Sequence, residues 1–218
     1  MRIARGGGIF VSPALGLALA ALINLSFGTE PWRLIALAGA TLTLSLLLFF
    51  FRDPHREPAP ESDPERALSP ADGSITAVDD REGSCSISIY LTLLDVHVVR
   101  LPLAGSVLSV IREPGGHRPA GGNRSGGNAS VEVVCSTGEG EMVIRLVSGL
   151  LARRIVTYLG PDDTGQAGMR LGLIRFGSRV DLTLPAGYRS LVRVGQKVHA
   201  GVTEVAAPGP TSSLPPQG

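Results

Sequence analysis

Lysine is almost missing from this chain. Of its 20 basic residues, all but Lys197 are arginine. A Schiff-base, phosphate-loop or biotinyl lysine would have to be that one residue. Lys197 sits in Val194-Gly195-Gln196-Lys197-Val198, which reads as an exposed turn between strands and a poor place for a catalytic amine. An enzyme needing an amine-reactive carbonyl has to build it elsewhere. Cysteine is nearly as scarce: Cys85 and Cys135 are far apart and lack metal-ligand spacing, so both read as ordinary core or strand residues and no metal is expected. A disulfide between them is open only to an oxidising compartment. No Gly-x-Ser-x-Gly elbow occurs, which weighs against a serine hydrolase. A net charge of +1 supplies no field for nucleic acid.

Glycine and proline are plentiful, 28 and 16, so turns are frequent and long helices few beyond the N-terminus. There, Ile9 to Phe27 and Leu34 to Phe51 carry no charge and are apolar all round, each just long enough to span a bilayer. A cleaved signal peptide does not fit, because a second run follows at once. Residues 1–51 are expected to form a membrane-anchoring helical hairpin, spanning or re-entrant. Arg2 and Arg5 precede the first run, and Arg52 and Arg56 follow the second. Both ends should therefore face the cytoplasm, with the rest of the protein on that side of the cell membrane. That side also argues against a Cys85–Cys135 bridge.

Residues 52–67 read as a proline-rich linker, 68–206 as a globular domain and 207–218 as a disordered tail. Ile75 to Val78, Cys85 to Leu91, Val96 to Leu101, Val107 to Arg112, Val131 to Cys135 and Met142 to Val147 alternate or are β-branched, as strands do. Leu150 to Leu159 fits helix or strand. Pro114 to Asn128 is a Gly-rich loop, expected at the surface near a site. Two stretches opening at Ala-Gly, Ala167-Gly168 and Ala200-Gly201, echo one another as strand–turn–strand units of the kind found in small β-barrels and in biotinyl and lipoyl carriers. The fold class expected is mainly β (α+β), a small barrel-like or sandwich-like domain behind a membrane hairpin.

The chemistry concentrates in Arg175-Phe176-Gly177-Ser178-Arg179-Val180-Asp181. Leu171 to Ile174 leads in, and alternating Val180, Leu182 and Leu184 lead out. A serine oxygen held rigidly can attack the carbonyl of the preceding residue, and glycine there leaves that carbonyl unshielded. The resulting ester can undergo β-elimination, which cuts the chain and yields an N-terminal pyruvoyl group. Gly-Ser is also an ordinary turn pair, present four times in this chain, so context decides. The cut needs a base. Of four histidines, His97 in Leu94-Asp95-Val96-His97-Val98 lies in an apolar strand, and Asp72 in Ser69-Pro70-Ala71-Asp72-Gly73 is a candidate to orient it.

Four motifs occur in order: Ser-Pro-Ala-Asp-Gly at 69–73, Leu-Asp-Val-His-Val at 94–98, Leu-Ala-Arg-Arg-Ile at 151–155 and Arg-Phe-Gly-Ser-Arg-Val-Asp at 175–181. With the hairpin and Phe51-Arg52-Asp53-Pro54, they make most of residues 1–206 resemble the short prokaryotic type of phosphatidylserine decarboxylase. The resemblance implies a proenzyme that cuts itself between Gly177 and Ser178 and converts Ser178 into a pyruvoyl cofactor. It implies Asp72, His97 and Ser178 as the processing set. It also implies β and α chains that stay associated, and conversion of phosphatidylserine to phosphatidylethanolamine and CO₂ at a membrane. Arg175 and Arg179 are candidates for the substrate phosphate; a homo-oligomer is compatible with all of this. The chain departs from longer members at Arg100, where they carry the second histidine of His-x-x-His-x-Pro, and at Asn128-Ala129-Ser130, where many carry Asn-Glu-Arg. An archaetidylserine decarboxylase would use the same site. The reading from another class is a membrane-anchored β-barrel adaptor or carrier, which would remain one intact chain.

Overall fold

The computed structural model describes residues 2–57, 63–81, 84–116, 127–149, 155–175 and 178–209. They divide into two compact units, one ending at His55 and one beginning at Arg56.

The first unit is a helical hairpin. β1 (Arg2–Ile3) leads into α1 (Gly8–Asn24), a 3-10 turn at Leu25–Phe27, α2 (Pro31–Phe50) and β2 (Arg52–Asp53). Pro31 opens α2, where its fixed φ and missing N–H suit the first turn. Arg33 ties the connection, pairing with Glu30 at 2.8 Å and donating to the Asn24 carbonyl at 3.0 Å. β1 pairs antiparallel with β2, Arg2 opposite Asp53, so the two ends of the hairpin lie side by side. The helices turn their apolar side chains outward: Leu17 is 60% exposed, Ile35 72% and Leu42 61%. Their hydroxyls stay inside the helices, as Ser12 to Gly8 O at 2.8 Å and Thr43 to Gly39 O at 2.9 Å. Gly8–Phe27 and Pro31–Phe50 are each long and apolar enough to cross a membrane. Such surface is unfavourable in water by about 25 cal/mol per Å² and suits lipid.

The second unit is built from strands. In chain order they are β3 (Ala67–Leu68), β4 (Gly73–Arg81), β5 (Ser84–Leu91), β6 (Val98–Arg100), β7 (Gly105–Glu113), β8 (Ser130–Thr137) and β9 (Gly140–Ser148). There follow β10 (Ile155–Thr157), β11 (Thr164–Gly165), β12 (Arg170–Ile174), β13 (Ser178–Leu184), β14 (Tyr188–Ser190), β15 (Lys197–Val198) and β16 (Glu204–Pro208). Eight form one antiparallel sheet in the order β11-β7-β8-β9-β13-β5-β4-β15. Two three-stranded sheets, β10-β12-β6 and β14-β16-β3, complete the unit.

Alternation explains the long strands. Cys85, Ile87, Ile89 and Leu91 of β5, Met142, Ile144 and Leu146 of β9, and Val180, Leu182 and Leu184 of β13 all point inward. Val99, Leu101, Leu171, Ile174 and Val205 of the smaller sheets join the same core. Each such aliphatic side chain contributes about 1.5–3 kcal/mol on burial. Cys85 and Cys135 are buried, unbridged core residues, as expected for strand positions.

Two expectations change and one open alternative closes. No ring of strands closes into a barrel among the described residues: the large sheet ends in β11 and β15, of two residues each, too short to pair across a closure. Ala207 and Pro208, expected in the tail, pair instead with Arg189 and Tyr188, and 210–218 lie outside the described residues. In the ambiguous 150–159 stretch, Ile155–Thr157 is strand, pairing with Gly172 to Ile174; 150–154 lie outside the described residues, as do 117–126 of the Gly-rich loop.

Candidate active site

Ser178 is the first residue of β13, in the middle of the eight-stranded sheet. It stands opposite Leu91 on β5 and Ser148 on β9. Its side chain shares the inward face with Val180 and Leu182, is 0% exposed, and its hydroxyl has no hydrogen-bond partner among the described residues. Gly177, the other half of the expected cut, and Phe176 lie outside the described residues.

The other expected residues gather at the same end of the sheet. β4 opens at Gly73, and Ser74 faces Tyr90, so Asp72-Gly73 arrives beside the end of β5. Gly73 has φ 152°, and a side chain there would run into the Tyr90 carbonyl, so only glycine lets β4 start this close to β5. From Leu91 the chain turns through Thr92 to Val96 and reaches His97. That turn is fastened by Asp95, whose Oδ2 accepts from the Thr92 backbone N–H at 2.8 Å and the Thr92 hydroxyl at 2.7 Å. Burial alone would raise the Asp95 carboxyl, but these hydrogen bonds and the charge of Lys197 outweigh it and hold it below the ordinary carboxylate value.

His97 is fully buried, and its Nδ1 lies 2.9 Å from the Asp95 carbonyl. A carbonyl can only accept, so in the neutral ring Nδ1 carries the proton and Nε2 presents the lone pair a base requires. The His97 carbonyl accepts from Ile174 N–H at 3.1 Å, which ties it to the end of β12 that runs on toward Ser178.

Asp72 is 5% exposed. Arg56 grips its carboxylate with both terminal nitrogens, at 2.5 and 2.7 Å, and the Ala200 N–H donates to Oδ1 at 2.8 Å. The segment carrying Asp72 also runs beside β6, since Arg100 N–H donates to the Pro70 carbonyl at 2.8 Å. The segment carrying Asp72 thus runs beside the one that follows His97, while the Asp72 carboxylate is engaged by an arginine. The group seen holding the His97 ring is the backbone of Asp95. Sequence reasoning placed none of Arg56, Asp95 and Ser148 in the site; the Asp-x-His spacing at 95–97 was the available signal for one of them.

The two flanking arginines differ. Arg179 stands on the opposite face of β13 from Ser178 and pairs with Asp181 at 2.9 Å. Arg175 is half-buried immediately after β12. Lys197 is an exposed surface residue 3.5 Å from Asp95, as expected of the turn that carries it. Among the described residues no cluster of His, Cys, Asp and Glu could hold a metal ion.

Comparison with known proteins agrees with the arrangement. The family model described as phosphatidylserine decarboxylase matches residues 44–206. A phosphatidylserine decarboxylase proenzyme of Streptomyces griseus is 40% identical over 207 residues, covering 94% of this chain and 93% of its own. One of Thermobifida fusca is 40% identical over 205 residues, covering 94% and 92%. A Methanosarcina mazei protein with the provisional name archaetidylserine decarboxylase proenzyme is 36% identical over 198 residues, covering 91% and 92%. With most of its length matched and a buried serine standing where the motif places it, this chain belongs to the phosphatidylserine decarboxylase family.

Proposed function

We propose that the chain is a self-processing proenzyme that becomes a decarboxylase, converting phosphatidylserine to phosphatidylethanolamine and CO₂ with a pyruvoyl group made from Ser178. The buried Ser178 hydroxyl carries the reading. A polar group held at the rim of an apolar core, without a partner among the described residues, is costly unless it has a chemical use.

In this reading, the Ser178 oxygen attacks the carbonyl carbon of Gly177 while His97 Nε2 accepts the hydroxyl proton. The Gly177–Ser178 amide bond breaks as an ester forms, and the amine of residue 178 is released. Loss of the Ser178 α-proton then expels the Gly177 carboxylate, and water displaces ammonia to leave the pyruvoyl group. Asp72 completes the processing set, its charge balanced by Arg56, which fixes the 69–73 turn beside β6.

The residues present fit the cofactor. Position 178 is dry, lies beside Leu91 and Ser148 and is locked in a ladder on both sides. The pyruvoyl ketone supplies an electron sink for the pair left behind as CO₂ departs. The apolar surround excludes water, and His97 is the group placed to return a proton to the former α-carbon. After the cut, β13 remains hydrogen-bonded between β5 and β9, so the two chains stay together. Arg2, Arg5, Arg52 and Arg56 at the two ends of the hairpin favour a cytoplasmic catalytic unit. Arg175 and Arg179 are the phosphate candidates that the sequence offers, Arg179 only by leaving Asp181.

Purified full-length protein in detergent should convert phosphatidylserine to the ethanolamine lipid without added pyridoxal phosphate. Borohydride added with substrate should leave the lipid amine bonded to the residue derived from Ser178. An adduct on Lys197, or activity that requires pyridoxal phosphate, rules the cofactor out. Turnover of the ether-linked serine lipid alone would favour the archaeal substrate.

A further inference from the structure

Ser178 has a neighbour of the same kind. The Ser148 hydroxyl is also buried, at 1% exposure, and also lacks a hydrogen-bond partner among the described residues. The two serines face each other across the antiparallel ladder of β9 and β13. Directly opposed residues share a face, with Cβ atoms about 5 Å apart. Two adjacent unsatisfied hydroxyls at the end of an apolar face call for a ligand.

Ser148 also lines a cavity of about 280 Å³ with Arg112, Glu113, Ser130, Val131 and Ile155. That volume suits a small polar head group rather than a whole lipid. Register fixes the geometry. Arg112 stands opposite Val131, and Val131 opposite Leu146, so Arg112 lies on the same face of the sheet as Leu146 and Ser148, at its exposed rim. Its guanidinium crosses to β10, donating to the Thr157 hydroxyl at 2.8 Å and the Ile155 carbonyl at 3.4 Å. Both partners are neutral. Arg56, Arg66, Arg145, Arg179 and Arg189 each meet a carboxylate instead. The one acid on the cavity wall, Glu113, accepts from Ser130 and is paired with Arg145 at 2.6 Å, and these contacts hold its carboxyl below the usual range. The wall therefore carries positive charge. β7 and β13 are three strands apart in the sheet and Arg112 is level with Val180, two residues along β13 from Ser178, which places the Arg112 and Ser178 backbones about 16 Å from one another. An arginine side chain and a serine phosphodiester fill that interval end to end.

We propose that this cavity is the head-group site for the serine lipid, with the phosphodiester on Arg112 and the Ser148 hydroxyl donating to the serine end beside residue 178. The assignment rests on the decarboxylase reading above and adds the residues that select the substrate. A bidentate guanidinium–phosphate contact made equally in ground and transition states is lost as affinity, not turnover.

The test is steady-state kinetics on full-length, fully cleaved protein, alongside calorimetric binding of glycerophosphoserine. Arg112→Gln should raise KM about tenfold with kcat close to wild type, and weaken glycerophosphoserine to match. Arg112→Lys should fall between the two. Thr157→Val removes the neutral brace and keeps the charge, so its KM should stay near wild type. A wild-type KM and affinity in Arg112→Gln overturns the proposal. So does Thr157→Val reproducing Arg112→Gln, since Arg112 would then act only by holding β10. A rise confined to Arg175→Gln or Arg179→Gln moves the phosphate elsewhere and overturns it as well. Glycerophosphoserine binding that depends on Arg112, without lipid turnover in wild type, would sink the decarboxylase reading and leave the head-group site standing.

Discussion

Asp72 and Arg56 show how a residue's chemistry can hide behind its neighbours in sequence. Arg56 reads as one more charge in a proline-rich linker, yet it closes on a carboxylate that is almost fully buried. Removing one member of a buried pair leaves an uncompensated charge, at a cost of about 3–5 kcal/mol. Arg56→Met should therefore lower the melting temperature by on the order of 10 °C and slow self-cleavage, by differential scanning calorimetry and gel densitometry. A melting temperature within a degree or two of wild type would show that the pair contributes little. Ser178 and His97 were legible because their motifs carry strand alternation and a recognisable spacing. The holder of His97 was not. A triad analogy points to a carboxylate, whereas the ring is met by the Asp95 carbonyl, and a backbone group leaves no mark in sequence. Ser148 was equally silent: its meaning comes only from the register that sets it opposite Ser178.

The long strands were readable because one face of each is core and the other is not. β5 and β13 alternate cleanly and β9 does so up to Leu146, and all three were read as strands. Of the short elements, β6 was read within Val96 to Leu101, but others were not readable. β10, β14 and β16 have five residues or fewer and take their strand character from partners distant in sequence. Ala207-Pro208 illustrates this, since a proline-rich end looks like tail until Tyr188 and Arg189 pair with it. The two cysteines test the inward faces of β5 and β8. Burial pushes each thiol up from 9.0 to about 11, with Asp80 adding to the shift at Cys85. Iodoacetamide at pH 8 should label neither cysteine in the native protein and both after denaturation, as read by mass spectrometry. The linkage follows from the raised values. Their contribution to stability is complete below 9.0 and is lost as pH rises toward about 11, so alkaline conditions should open the sheet to labelling. Fast labelling of native protein at pH 8 would place one of these strands with its faces reversed.

At the scale of the whole molecule, an apolar hairpin and a β unit divide the work. The hairpin offers lipid-compatible surface on two helices of membrane-spanning length. The β unit holds Ser178, the residue of the proposed cut, at the start of a central strand, where cutting the chain need not break the fold. β13 keeps its ladders to β5 and β9, β15 keeps its pairing to β4 and β16 its pairing to β3. The segment from Ser178 onward is thus woven into sheets built by the segment before it. A carrier or adaptor has no use for such a cut and would stay whole.

The most direct measurement is intact mass under denaturing conditions, on freshly purified wild type and on Ser178→Ala. Wild type should give two fragments, the smaller being the 41 residues that follow position 177 in a chain of 218. That fragment should begin with a pyruvoyl group, lack a free N-terminal amine, and co-purify with the larger one in the absence of denaturant. Ser178→Ala should give a single uncut chain. A wild-type chain that stays whole, or a Ser178→Ala chain that is cut as efficiently as wild type, would contradict the account.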